Sequence, residues 1–105
     1  MKLSPIVNEE KTVGYAFWCP GCEEIHTFNT VARHHNAPVW WFNGNLEFPT
    51  FTPSLIYRGD RLCHVFVTDG KIQFLADCWH RLRGQTVPIP EWPYSDLQDR
   101  MTPTG

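Results

Sequence analysis

Apolar positions in this chain come in short runs rich in β-branched and aromatic residues, each cut off by a turn signal. That punctuation predicts strands and argues against long helices. Thr12–Cys19 (TVGYAFWC) reads as a strand, Pro20-Gly21 as a turn, and Glu24–Thr30 (EIHTFNT) as the returning strand. The polar stretch VARHHNAP follows as a connection of at most one helical turn, then VWWFNG as a short strand stopped by Asn43-Gly44. Pro49–Tyr57 (PTFTPSLIY) is extended, and its two prolines suggest an edge strand or a path along the sheet. After RGDR come LCHVFVT, Asp69-Gly70 and KIQFLAD, where Asp-Gly between two β-type runs is a strong hairpin signal.

Beyond Cys78, WHRLRG is compatible with one short helix closed by Gly84. The Pro-rich tail from about residue 86 reads as irregular, with a helical turn near Ser95. The expected class is mostly β: a small zinc-ribbon-like hairpin domain with one or two helical turns. At 105 residues the chain is a single domain, 1–105.

Hairpin parity sorts the chemistry. With Asp69-Gly70 as a two-residue loop, Thr68 pairs with Lys71, Val67 with Ile72, Val65 with Phe74 and Cys63 with Ala76. One face then carries Cys63, Val65, Val67, Ile72, Phe74, Ala76 and Cys78, the predicted core side. The other carries His64, Phe66, Gln73, Leu75 and Asp77. In CPGC, Cys19 and Cys22 flank a Pro-Gly turn, a spacing that lets two thiolates converge on one ion about 2.3 Å away. A redox C-x-x-C normally opens a helix, whereas these flanks read as strands. The metal ligands expected for a closed structural zinc site are therefore Cys19, Cys22, Cys63 and Cys78. His80, His26 and His64 are held in reserve as ligands. Catalytic candidates are His64, Asp77 and His80, with Asp77 diagonal to His64 across the hairpin and able to fix its tautomer. His34 and His35 lie in a polar loop and are expected to be solvated.

Charge narrows the partners. A formal charge of −2 and a pI near 6.2 give no footprint for nucleic acid or acidic membranes. The aromatic run at Trp40–Phe42 would be the platform for the minor alternative, single-stranded nucleic-acid binding. MKLSPIVNEEKT has no apolar signal core, and no apolar run is long enough to span a bilayer, so a cytoplasmic protein is expected.

The segments FWCPGCEEIH, WWFNGNLEFPTFTPSL, CHVFVTDGKIQFLADCWH and GQTVPIPEW, in this order, resemble a family of small uncharacterised phage and prophage proteins often mislabelled ammonia monooxygenase. The resemblance covers about Phe17 to Trp92. It implies a zinc-binding β fold, a phage origin in an infected or lysogenic bacterium, and distant relatives beside ubiquitin-like conjugation genes in defence operons. The matched positions are Cys19, Cys22, Cys63, His64, Asp77, Cys78 and His80.

Two functional expectations follow, and they differ in class. The first is a zinc-stabilised binding or regulatory module acting on a host or defence protein, without catalysis. The second is a small hydrolase that uses either an open metal site or a His64–Asp77 acid/base pair. The sequence gives the first more weight, because a site closed by four cysteines leaves no open coordination position.

Overall fold

The computed structural model describes residues 1–94. Its described residues form eight strands in two antiparallel sheets and no helix. The first sheet contains β1 (Ser4–Asn8), β2 (Lys11–Cys19) and β3 (Glu24–Asn29), in the order β1-β2-β3. The second contains β4 (Trp41–Phe42), β5 (Phe51–Arg58), β6 (Leu62–Thr68), β7 (Lys71–Phe74) and β8 (Thr86–Pro88), also in chain order. The mostly-β expectation is met. The helical turns expected in VARHHNAP and WHRLRG are replaced by bends and turns, and the one near Ser95 lies outside the described residues.

The central hairpin has the register its turn dictates. Val65 pairs with Phe74, Val67 with Ile72 and Thr68 with Lys71. Asp69 and Gly70 both adopt positive φ, at 50° and 78°, as a type I′ turn requires. Val65, Val67, Ile72 and Phe74 are all buried, while Lys71 and Gln73 face outward. Phe74 is 1% exposed and its ring meets His80 edge-on at 4.6 Å. Phe74→Ala is expected to cost about 3–5 kcal/mol, read as a lowered midpoint in denaturant unfolding of the metal-loaded protein.

The high aromatic content goes into the contact between sheets. Phe28 of β3 and Phe51 of β5 stack at 4.2 Å with their planes 1° apart. Phe17 extends the stack from β2 and Phe42 from β4, at 5.6 Å and 4.7 Å. Of the tryptophans in VWWFNG, Trp40 packs edge-on against Phe28, and Trp41 is 60% exposed.

Three local features depart from the sequence expectations. Strand β1 exists because Glu9 and Glu10, at φ 52° and 65°, make the tight turn into β2. Two glutamates carry no hairpin signature, so that turn is silent in the sequence. Strand β5 is interior, with β4 on one side and β6 on the other, not an edge. Its Pro53 is tolerated because the β5–β6 register shifts between Phe51 and Leu55, where no ladder donor is needed. Finally, Thr86–Pro88, at the start of the stretch read as irregular, pairs with β7 as β8.

Candidate functional site

Two groups of side chains lie back to back across β6, one on the core side and one on the outer face. On the core side, the CPGC turn ends β2, and the chain returns as Glu23 N–H donates to Cys19 O at 2.8 Å. Cys63 comes from β6. His80 comes from the 75–84 excursion that leaves β7 after Phe74 and rejoins it where Phe74 N–H donates to Gln85 O. The ligand atoms of Cys19, Cys22, Cys63 and His80 all lie within 4.8 Å of one another, close enough to hold a metal ion. Gly21 is required by this closeness, since a Cβ there would stand 2.2 Å from His80 Cε1.

The donor set fits a soft or borderline divalent ion. Hydrogen bonding to the Cys63 thiol pulls Cys19 down to about 4, which favours the thiolate a metal needs. The same bond pushes Cys63 well up, and burial pushes Cys22 up to about 11. Binding a metal would require Cys22 and Cys63 to give up their protons. Backbone and indole N–H groups already point at the sulfurs: Cys22 N–H to Cys19 Sγ at 3.4 Å, and Trp79 Nε1–H to Cys22 Sγ at 3.3 Å. Burial lowers the His80 pKa, which favours the neutral imidazole a ligand must be. Its Nδ1 accepts Leu82 N–H at 3.2 Å and its Nε2 faces Cys63 Sγ at 3.5 Å. Ligation through Nε2 would replace the proton that nitrogen now directs at sulfur.

Cys78, expected as the fourth ligand, is not in this group. It is buried, but its sulfur is turned to the backbone of His64, accepting His64 N–H at 3.3 Å and donating to His64 O at 3.1 Å. The cause is the turn after Phe74, closed by Cys78 N–H to Leu75 O at 3.1 Å, which ends the alternation of faces before Cys78 is reached. His26, another reserve ligand, is 1% exposed and stacks on Tyr57 at 4.1 Å. Its Nδ1 lies 3.2 Å from Ile25 O, and its Nε2 has no hydrogen-bond partner among the described residues. Its ligand atom is within 4.8 Å of those of Cys22 and Glu24. His34 and His35 are exposed, as expected.

On the outer face, His64 Nδ1 faces Asp77 Oδ2 at 3.2 Å. The other ring nitrogen, Nε2, faces Ser54 Oγ at 3.1 Å. With the carboxylate accepting from Nδ1–H, Nε2 presents a lone pair to the serine hydroxyl. A carboxylate, an imidazole and a serine hydroxyl from three different segments thus stand in one hydrogen-bonded row, the order that nucleophilic hydrolases use. Ser54 is held from behind by Trp40, whose Nε1–H donates to Ser54 O at 3.1 Å. His64 lies toward the protein, with 21% of its side chain exposed, and Asp77 is half open at 51%.

Sequence reasoning found His64 and Asp77 and missed Ser54. Its place is set by the β5–β6 pairing, which the register shift beside it masks in the sequence. Ile56 pairs with His64, so Ser54, two residues earlier, lies on the face of His64 and diagonal to it. Clefts of about 600 and about 560 Å³ elsewhere on the surface are lined by other residues. Exposed Ile56 lies opposite His64 across the β5–β6 pair, and the exposed Phe66 ring is 6.4 Å from that of His64.

A family model described as bacterial ubiquitination-like system serine protease (BubE) matches residues 2–75. The chain belongs to this family. Membership implies a role in a bacterial ubiquitination-like system. The matched span contains Ser54 and His64 and stops just before Asp77. No curated protein and no solved structure matches the chain. Among the described residues, no helix is long and apolar enough to cross a membrane.

Proposed function

We propose that this chain is a serine protease of a bacterial ubiquitination-like system, with Ser54 as nucleophile, His64 as general base and Asp77 as the carboxylate that orients it. The observation that carries the reading is the continuous relay from Asp77 Oδ2 through both ring nitrogens of His64 to Ser54 Oγ, with links of 3.2 and 3.1 Å. The BubE family description supports the same reaction class.

In the proposed reaction Ser54 Oγ attacks the scissile carbonyl while His64 Nε2 takes the hydroxyl proton. The resulting imidazolium is stabilised by Asp77, which keeps its own charge. His64 then passes the proton to the leaving amine, and an acyl-enzyme on Ser54 remains. Water, deprotonated by the same imidazole, releases the acyl group and restores Ser54. Half-exposed Asp77 and the exposed apolar Ile56 and Phe66 beside His64 suit a polypeptide laid across the sheet better than a small molecule enclosed in a pocket. The protein partner expected from sequence is, on this reading, the substrate.

Zinc at Cys19, Cys22, Cys63 and His80 has a structural part in this proposal. Four protein ligands close a tetrahedral site and leave no position for water. The ion would tie β2, β6 and the 75–84 excursion together and take no part in bond cleavage.

A fluorophosphonate probe tests the nucleophile without knowledge of the substrate. Ser54 Oγ would displace fluoride from phosphorus while His64 accepts the proton. Stoichiometric labelling mapped to Ser54 by mass spectrometry, and absent from a folded Ser54→Ala protein, is the expected result. Labelling that persists in Ser54→Ala, or a metal-loaded wild type that the probe never modifies, would defeat the assignment.

A further inference from the structure

Cys78 is the one cysteine the metal group leaves out, and its sulfur accepts from the N–H and donates to the C=O of one residue, His64. We propose that Cys78 is a positioning residue for the catalytic base: its thiol completes the strand pairing of His64 where β7 runs out. This rests on the serine-protease reading of Ser54, His64 and Asp77.

The backbone shows what the thiol replaces. The β6–β7 pairs end at Val65 and Phe74. One step further, an intact antiparallel ladder would have His64 and Leu75 exchange two bonds. Only one is made, Leu75 N–H to His64 O at 3.0 Å. The Leu75 carbonyl is instead taken by Cys78 N–H at 3.1 Å, as the chain turns out of the sheet. That turn leaves His64 N–H without a ladder acceptor, and Cys78 Sγ occupies the place at 3.3 Å. Its S–H returns to His64 O at 3.1 Å, so the thiol both accepts from and donates to the residue it clamps. Cys78 is 3% exposed, so both contacts are made inside the protein.

The clamp bears on catalysis because Asp77 is the residue before Cys78. Fixing Cys78 against the His64 backbone fixes the separation between the Asp77 carboxylate and the His64 ring, 3.2 Å. Among the described residues, half-exposed Asp77 makes no other side-chain hydrogen bond to hold it there. The sulfur therefore sets the geometry of the relay without touching the reacting atoms.

Cys78→Ala and Cys78→Ser separate this role from metal ligation and from simple packing. Three quantities are read: metal per chain, amide exchange at His64, and the rate and saturation of fluorophosphonate labelling. Cys78→Ala is expected to keep its metal and to exchange the His64 amide faster. Its limiting labelling rate should fall on the order of 10- to 100-fold, the cost of a misplacement of about 1 Å, with half-saturation unchanged. Cys78→Ser, which keeps a donor and an acceptor, should restore most of both. Metal loss from both variants would make Cys78 a ligand and overturn the proposal, as would unchanged exchange and labelling in Cys78→Ala. If Cys78→Ala does not fold, a folded Cys78→Ser with slow labelling overturns it equally. A wild type that the probe never labels would defeat the protease reading, and exchange at His64 would still decide whether the clamp exists.

Discussion

Cys19→Ser is expected to leave a chain that binds no metal and fails to fold. Cys19 is fully buried at the end of β2 and carries the cluster's one low-pKa sulfur, so it is the ligand already prepared for an ion. Structural zinc contributes apparent folding free energy of about 10–16 kcal/mol, as much as or more than the whole stability of an ordinary small domain, about 5–15 kcal/mol. Serine is nearly the same size but a poor zinc ligand, so the change removes the metal and not the packing. The measurements are metal content of protein purified without added metal, and the far-ultraviolet spectrum of the variant. One zinc per chain in the wild type and a disordered, metal-free variant are the expected pair. A Cys19→Ser protein that folds and keeps its zinc would remove the site. His80→Ala should weaken retention against a chelator with a smaller loss of structure. The same weakening in His26→Ala, with His80→Ala unaffected, would identify His26 as the fourth ligand.

Much of this arrangement was legible because strands impose a period of two. Asp69-Gly70 fixed the β6–β7 register, and that register placed Cys63 on the core side and His64 on the outer face. Asp77, expected diagonal to His64, does reach it, at 3.2 Å, but from the turn after Phe74 and not from a continued strand. Parity fails where strands end. Phe74 is the last residue of β7, so the alternation that assigned Cys78 to the metal no longer applied four residues on, and the turn at 75–78 brought His80 to the thiols instead. Ser54 was hidden by a different device. The shift between Phe51 and Leu55 and the proline beside it disguise an interior strand as an irregular path. Only the pairing of Ile56 with His64 reveals which way Ser54 points. Strand β1 was hidden by its Glu9-Glu10 turn, whose positive φ values have no glycine or asparagine to announce them.

The two sites share their chain segments. Cys63 and His64 are consecutive in β6, and Asp77, Cys78 and His80 follow one another on the excursion after β7. An ion joining Cys63 to His80 would therefore hold the backbone on which His64 and Asp77 are mounted, although it faces the opposite side of the sheet. This dependence runs one way. Changes on the outer face remove no ligand of the metal group, so they test chemistry in a protein whose fold is intact.

His64→Ala and Asp77→Asn are the informative changes there. Without His64, Ser54 has no acceptor for its proton, and members of such a relay act as a unit. Loss of the base is expected to lower the limiting labelling or hydrolysis rate on the order of 10⁶-fold. Asp77→Asn keeps the shape of the side chain and removes its charge. The amide can then donate to His64 Nδ1, which favours the tautomer with the proton on Nε2, pointed at Ser54 and unable to accept from it. A loss on the order of 10⁴-fold is expected from that reversal alone. Asp77 is half exposed, so the substitution should leave the melting temperature within about 2 °C for a change of a few tenths of a kcal/mol. The double variant should be no slower than His64→Ala, because the carboxylate acts only through the ring. Equal rates for wild type and Asp77→Asn would show that the 3.2 Å contact is a surface ion pair with no part in the reaction. Losses that add in the double variant would show that Asp77 acts on something other than His64.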